Sequence, residues 1–275
     1  MNPVALVFVS TDEGEVLLAA LASLFESRPG RPLEVVVVDN ASSDGARETI
    51  RRRWPEIKVV IQERRRGLPT NLNRGILATD APYVMLCNSD LIFPASAIDT
   101  LADFLDDHPG AAVAAPKLIS PDGERRPSAR RWYTLRSLVA LKWPRSPAKA
   151  PFPSLSHSVY DDWDYASPRA VDWVPCPATL VRRAALDEIG LMDERFNPLY
   201  FDDVDLSLRM HQGGWEVWCV PGAEVIHLEE RASGRLFSRA WRWHLVSLLK
   251  FCWKHKGLAP RGPMAGAKER SPRWI

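Results

Sequence analysis

Short, densely apolar runs alternate with helix-patterned segments through the first 118 residues, and this alternation narrows the folds open to the chain. VALVFVS (4–10), LEVVVVDN (33–40), IKVVIQ (57–62), YVMLCNSD (83–90) and AAVAAPKL (111–118) are brief and mostly apolar, the first three rich in valine and isoleucine. Such runs read as strands buried on both faces, as in a parallel sheet. Between them, residues 14–27 place Leu17, Leu18, Leu21, Leu24 and Phe25 on one side of an amphipathic helix. Helices are also predicted over 42–54, starting from a capping Ser or Asp, over 69–79 with Pro69 near its start, and over 94–109. Repeated strand–helix alternation implies an α/β fold, a mostly parallel sheet flanked by helices. Ligands in such sheets bind outside the carboxyl ends of the strands. Those ends carry Ser10-Thr11, Asp39-Asn40 and Asn88-Ser89-Asp90.

The pattern breaks at 119–170, a stretch rich in Pro, Arg, Trp and Ser with little periodicity. It reads as an irregular insertion, either an acceptor-side loop or a linker. Order returns at 171–230. VDWVPCPATLVRR is expected as a strand interrupted by its prolines. AALDEIGLMDERF reads as a short helix and turn, and DDVDLSLRMHQGG as a helix stopped by Gly-Gly. WEVWCVPGAEVIHLEE is expected as two strands around a Pro-Gly turn. From 231 to 268 there is no acidic residue, and 235–256 reads as a basic, Trp-rich amphipathic helix. That composition suits an anionic membrane surface, or a helix docked on the protein's own core.

Several classes are set aside. A net charge of +2 over 275 residues gives no sign of a nucleic-acid partner. The four cysteines form no C-x-x-C pair and lie in apolar runs, so free buried thiols in a cytoplasmic compartment are expected. The start, MNPVALVFVS, has no basic region before an apolar one and predicts no secretory signal. No stretch reaches the length of a membrane span. A nicotinamide-dependent oxidoreductase needs a Gly-rich turn after the first strand, and residues 10–14 read STDEG.

The polar residues at the strand ends each have two readings. Asp39 is placed to accept hydrogen bonds from a ribose or base, or to serve its own turn. Asp90 suits a divalent cation, or an N-cap for the 94–107 helix. Asp202, Asp203 and Asp205 fall within four positions. Asp205 precedes Arg209 by one helical turn, a structural pair, whereas Asp202 and Asp203 sit where a helix start stabilises negative charge. His227 ends the run AEVIH, as a structural histidine or as a partner to Asp90 in a metal shell.

Taken in order, VVVVDNASSDG, NLNRGI, YVMLCNSD, LVRRAALDEIGLMDERFNPLYFDDVDLSLR and EVIH resemble the family 2 glycosyltransferases, and among them the rhamnosyltransferase-like group. The resemblance spans about residues 4–232. It implies a GT-A fold: a nucleotide-sugar-binding half (1–118), the insertion (119–170), an acceptor-binding and catalytic half (171–232) and the basic extension (233–275). Thr11 and Asp39 would contact the nucleoside, and Asn73 and Arg74 would line the donor site. Asn88-Ser89-Asp90 stands where the family has D-x-D, with Asn88 at the donor and Asp90 on the metal. Asp203 matches the second acid of the family's E-D pair, the catalytic base, with Asp202 beside it. His227 matches a metal-binding His, and Trp173 is a candidate acceptor contact. The first D-x-D position is Asn, and the family's Gly-rich stretch is replaced by RRRGLPTNLN.

The implied activity is metal-dependent, inverting transfer of a sugar from a nucleotide diphosphate, dTDP-rhamnose being favoured. The acceptor would be a lipid-linked or cell-surface glycan, and the divalent cation Mg²⁺ or Mn²⁺. The expected location is cytoplasmic, peripheral on the inner face of the membrane through 235–256. The opposing expectation is a non-catalytic relative that binds glycans or scaffolds a membrane complex, for which the missing first Asp of D-x-D speaks.

Overall fold

The computed structural model describes residues 1–134, 160, 162–228 and 239–258. The rest of the expected insertion (135–159 and 161), residues 229–238 and residues 259–275 lie outside the described residues. Nine strands form one sheet in the order β3-β2-β1-β4-β8-β6-β9-β5, with β7 also paired to β9. They are β1 (Val4–Ser10), β2 (Leu33–Asp39), β3 (Lys58–Ile61), β4 (Tyr83–Cys87), β5 (Leu91–Ile92), β6 (Ala111–Ile119), β7 (Arg169–Ala170), β8 (Ala178–Arg182) and β9 (Glu216–His227). The helices are α1 (Gly14–Ser27), α2 (Ala46–Arg53), α3 (Leu68–Ile76), α4 (Ala97–Asp107), α5 (Arg183–Ile189), α6 (Asp202–Gln212) and α7 (Arg239–Lys254).

β3, β2, β1 and β4 are parallel, as the apolar runs predicted. Successive side chains of a strand point to opposite faces, and both faces are covered. Val35, Val37, Tyr83 and Met85 join one core with Leu17 and Leu21 of α1 and Leu101 of α4. Their neighbours Val36, Val38, Val84 and Leu86 join a second core with Leu72 and Ile76 of α3 and Leu206 of α6. Gly75 lets α3 lie this close, since a Cβ there would stand 2.1 Å from Cγ1 of Val7.

The other half of the sheet is mixed. β8 runs antiparallel to both β4 and β6, and β9 runs parallel to β6. Here two expectations need correction. The run 171–183 yields a strand only from Ala178, past Pro175 and Pro177, which have no N–H to give a ladder. Residues 216–227 are one strand, not two. Against β6 its register jumps from Pro116↔Val220 to Lys117↔Glu224, so Pro221-Gly222 sits in a bulge within the strand. The helix expected from residue 42 begins at Ala46, after Gly45 in a left-handed conformation.

α7 docks through Leu248 and Phe251 on Phe196, Phe201, Val204 and Leu208. Its opposite side leaves Val246, Leu249 and Trp253 at 47%, 62% and 78% exposure. Among the described residues no helix is long and apolar enough to cross a membrane. All four cysteines are free, with Cys87 and Cys219 buried.

Candidate active site

Topology creates the first cluster. β5 is only two residues long, and it pairs antiparallel with the end of β9 so that Leu91 faces His227. Leu228 N–H donates to the Asp90 carbonyl, which fixes that register. His227 Nε2 therefore lies 3.2 Å from Asp90 Oδ2. The contact is close but not aligned as a hydrogen bond, and Nε2 is buried without another partner. Burial acts to raise the Asp90 pKa, but the His227 ring and the Asn88 amide hold it below its usual value. Asp90 does not cap α4, whose N-cap is Ser96.

A carboxylate oxygen and an imidazole nitrogen with no partner, side by side, fit two adjacent ligands of one divalent cation. The mixed O/N set suits Mn²⁺ better than the all-oxygen preference of Mg²⁺. Among the described residues no three His, Cys, Asp or Glu side chains converge on a metal position. Asp90 and His227 would supply two of the ligands of such a cation.

The second cluster is built by a strained turn. Tyr200 and Phe201 both adopt left-handed backbone conformations, at φ 75° and 65°. Each such non-glycine residue costs roughly 1–3 kcal/mol and persists only where surrounding packing enforces it. Here Phe201 is clamped in the α6–α7 core. The turn delivers Asp202 and Asp203 at the start of α6. Val204 N–H donates to Asp203 Oδ1 at 2.8 Å. Burial, then the charge of Asp203, pushes Asp202 above the usual carboxylate range. Burial also raises Asp203, while the Val204 N–H and the Arg130 charge act against it.

His227 of the first cluster and both acids of the second line one cleft of about 280 Å³. Asn88, Arg126, Arg130, Cys176, Tyr200, Asp202, Asp203 and His227 line it, with Leu68 at the start of α3. Arg126 and Arg130 went unrecognised in the sequence, where an arginine-rich, aperiodic segment gave no sign of which side chains face inward.

The remaining candidates are spread along the carboxyl edge. Asp39 is buried. Its Oδ1 accepts from Ser42 N–H at 2.8 Å and its Oδ2 lies 3.3 Å from Arg47. It lines a small recess with Ser10, Ser42 and Arg47. Thr11 accepts from the Asn40 amide at 2.9 Å. Asn73 is turned elsewhere: its amide bonds Met192 through both N–H and C=O and reaches Glu194, tying α3 to the 192–194 loop. Arg74, the next residue of α3, is exposed. Trp173 is buried, with its indole N–H donating to the Arg131 carbonyl at 3.0 Å. It forms a wall beneath Arg130, with which it exchanges two backbone hydrogen bonds. Asp205 stands apart from the cleft. It is fully buried and binds Arg209, Lys254 and His255.

The family model described as glycosyl transferase family 2 matches residues 6–173. The N-acetylglucosaminyl-diphospho-decaprenol L-rhamnosyltransferase of Mycobacterium tuberculosis is 31% identical over 245 residues, 83% of this chain and 77% of that protein. This chain belongs to glycosyl transferase family 2.

Rhamnosyltransferase WbbL of Escherichia coli is a further relative, 30% identical over 38% of this chain and 37% of its own length. Solved structures agree on the fold. GalNAc-T7 with UDP, GalNAc and Mn²⁺ superposes with a TM-score of 0.64 at 16% identity. That match covers 86% of this chain and 45% of that one. The Pyrobaculum calidifontis mannosyltransferase PcManGT with GDP-Man and Mn²⁺ gives 0.61 at 20% identity, over 94% of this chain and 65% of that one. The fold is GT-A, and the protein is a family 2 glycosyltransferase of the rhamnosyltransferase-like group.

Proposed function

We propose that this glycosyltransferase transfers L-rhamnose, with inversion, from a nucleotide diphosphate to a hydroxyl of a lipid-linked sugar diphosphate. The donor favoured is dTDP-rhamnose. The observation that carries the reading is the shared cleft: His227, in contact with Asp90, and the Asp202–Asp203 pair line the same space from separate segments. The donor and acceptor classes are taken from the mycobacterial relative, whose name specifies L-rhamnose and a diphospho-decaprenol acceptor.

Asp203 is assigned as the base. Its carboxylate takes the proton of the acceptor hydroxyl as that oxygen attacks the anomeric carbon, opposite the bond to the diphosphate. The bond to the diphosphate breaks with its electron pair, and the anomeric configuration inverts. A raised pKa makes Asp203 a stronger base than an ordinary carboxylate. Asp202, more deeply buried, retains its proton to higher pH and orients the acceptor by hydrogen bonding. Asp90 and His227 would hold a divalent cation, which when bound neutralises charge on the leaving diphosphate. Thr11 and Asp39 are assigned to the nucleoside and Asn88 to the donor.

The acceptor's lipid sets a location. The outer face of α7 presents Arg239, Arg242, Val246, Leu249 and Trp253, spaced three and four apart and all exposed, with exposed Lys256 just past the helix end. Apolar side chains between cations fit the interface of an anionic bilayer. The test is mass spectrometry of the product from dTDP-rhamnose, Mn²⁺ and a short-chain N-acetylglucosaminyl-diphosphate. A product one deoxyhexose heavier supports the reading. Unchanged acceptor, with no thermal shift on adding any sugar nucleotide, favours the non-catalytic relative instead.

A further inference from the structure

Two adjacent arginine pairs, Arg125-Arg126 and Arg130-Arg131, lie beside the cleft, and each pair splits. Arg125 donates to the Trp163 carbonyl at 3.2 Å and stacks on Tyr165. Arg131 forks onto the Asp162 carboxylate at 2.7 and 2.9 Å and stacks on Tyr160. Both are used by the protein itself. Arg126 and Arg130 turn the other way and line the cleft. Arg126 Nε is buried with no hydrogen-bond partner. Arg130 lies over Trp173 at 5.6 Å and has no carboxylate or carbonyl partner among the described residues. A guanidinium carries five donors and keeps its charge at every working pH. Among the described residues neither guanidinium has a carboxylate or carbonyl partner, so both have donors to offer a ligand in the cleft.

The segment that carries them is held rigidly. Leu118 N–H donates to Ser128 Oγ at 2.6 Å, Arg126 N–H to the Leu118 carbonyl, and Arg130 and Trp173 exchange two backbone bonds. The arginines therefore stand on a fixed platform across from Asp203.

We infer that Arg126 and Arg130 form an anion subsite for the diphosphate of the acceptor. The inference rests on the functional reading above. Under that reading the cleft receives two diphosphates, and the Asp90–His227 corner accounts for the donor's. The acceptor's is bonded to the same sugar ring that offers its hydroxyl to Asp203. It lies about one ring away from the base, and Arg126 and Arg130 bring positive charge to the cleft that the base lines. Paired guanidinium–phosphate bonds are directional and strong, so they also fix which ring hydroxyl meets the carboxylate.

Isothermal titration of the full chain tests this with three probes: N-acetylglucosaminyl-diphosphate on a short alkyl chain, the alkyl glycoside without phosphates, and dTDP-rhamnose. The proteins are wild type, Arg126→Gln, Arg130→Gln and the double variant, each checked for an unchanged Tm. The double variant is expected to bind the diphosphate acceptor at least about tenfold more weakly, with the glycoside and the donor unaffected. Arg130→Lys should recover part of the loss. Weakened donor binding with unchanged acceptor binding overturns the assignment, as does equal binding of the diphosphate acceptor by wild type and double variant. If wild type binds that acceptor through the arginines but transfers no sugar to it, the functional reading fails and the subsite stands.

Discussion

His227 Nε2 rests 3.2 Å from Asp90 Oδ2, although β5 and β9 lie far apart in the chain. The relationship exists because a two-residue strand pairs with the last residues of a twelve-residue one.

From that pairing, Asp90→Asn and His227→Ala are each expected to raise the Mn²⁺ concentration for half-maximal activity, by about 10–100-fold. Saturating metal should restore part of kcat. A titration of activity against Mn²⁺ in wild type and both variants decides. Coincident curves would remove these residues from the metal's shell.

Asp203→Asn should cost about 10²–10⁴ in kcat with little change in either KM, because the carboxylate acts on the proton in flight. Wild-type kcat should rise with pH through a value above the ordinary carboxylate range, since burial raises Asp203. A variant that keeps full transfer would sink the base assignment.

The placement of several candidates, though not their roles, was legible before the fold was. Asp39, Asp90 and His227 sit at or just past the ends of apolar runs, and such ends gather at one edge of a parallel sheet, whereas Asp203 begins a helix. What the chain does not announce locally is pairing between distant segments. The insertion of β8 between β4 and β6 and the Leu91↔His227 register are tertiary facts. They, not any local pattern, convert Asp90 from a plausible helix cap into a partner of His227. The unbroken β9 was missed because Pro-Gly ordinarily ends a strand, and only a neighbouring strand can hold the bulge that absorbs it. Asn73 shows the reverse: a residue in a donor-site motif whose amide is committed to Met192 and Glu194. Arg126 and Arg130 differ from their neighbours only in the direction their side chains take, which an aperiodic segment does not encode.

The acid pair has a stability signature of its own. Asp202 titrates above its unfolded value because burial and Asp203 disfavour its charge. The folded state thus binds a proton that the unfolded chain has released, and stability falls as pH rises between those two values. Asp202→Asn cannot ionise, so its Tm should match or exceed wild type, by a margin that widens from about pH 5 to about pH 9. Differential scanning fluorimetry across that range measures it. A margin that narrows with pH would mean Asp202 ionises readily in the folded protein.

Asp205 behaves oppositely. Burial would raise its pKa, but His255, Arg209 and Lys254 hold it below the usual value. Its stabilisation is present above the unfolded pKa and disappears as pH falls through the lower folded one. The carboxylate joins α6 to α7, so Asp205→Asn strands three cationic or hydrogen-bonding partners in a dry interface. A loss of about 3–5 kcal/mol follows from breaking one side of such a buried network. Urea unfolding monitored by tryptophan fluorescence gives the figure, and a loss below about 1 kcal/mol would place the pair among exposed, weak ones.

The C-terminal helix has a second face to explain. Its inner side, with Leu248 and Phe251, completes the core that positions Phe201 ahead of the acid pair. The outer side does nothing for that core, yet exposes Leu249 and Trp253 at 62% and 78% among Arg239, Arg242 and Lys256. Burying such side chains in the bilayer interface contributes about 1.5–3 kcal/mol each. Each cation near an anionic surface adds about 1 kcal/mol. The wild-type chain should therefore float with phosphatidylglycerol vesicles and not with phosphatidylcholine vesicles, and high salt should weaken the binding without abolishing it. Leu249→Ser combined with Trp253→Ser should cut vesicle binding by tenfold or more. It should leave transfer to a short-chain, water-soluble acceptor unchanged, because neither side chain reaches the cleft. Equal flotation of wild type and double variant would show that this face meets something other than lipid. A parallel fall in transfer to the soluble acceptor would show that the face supports the fold of the site.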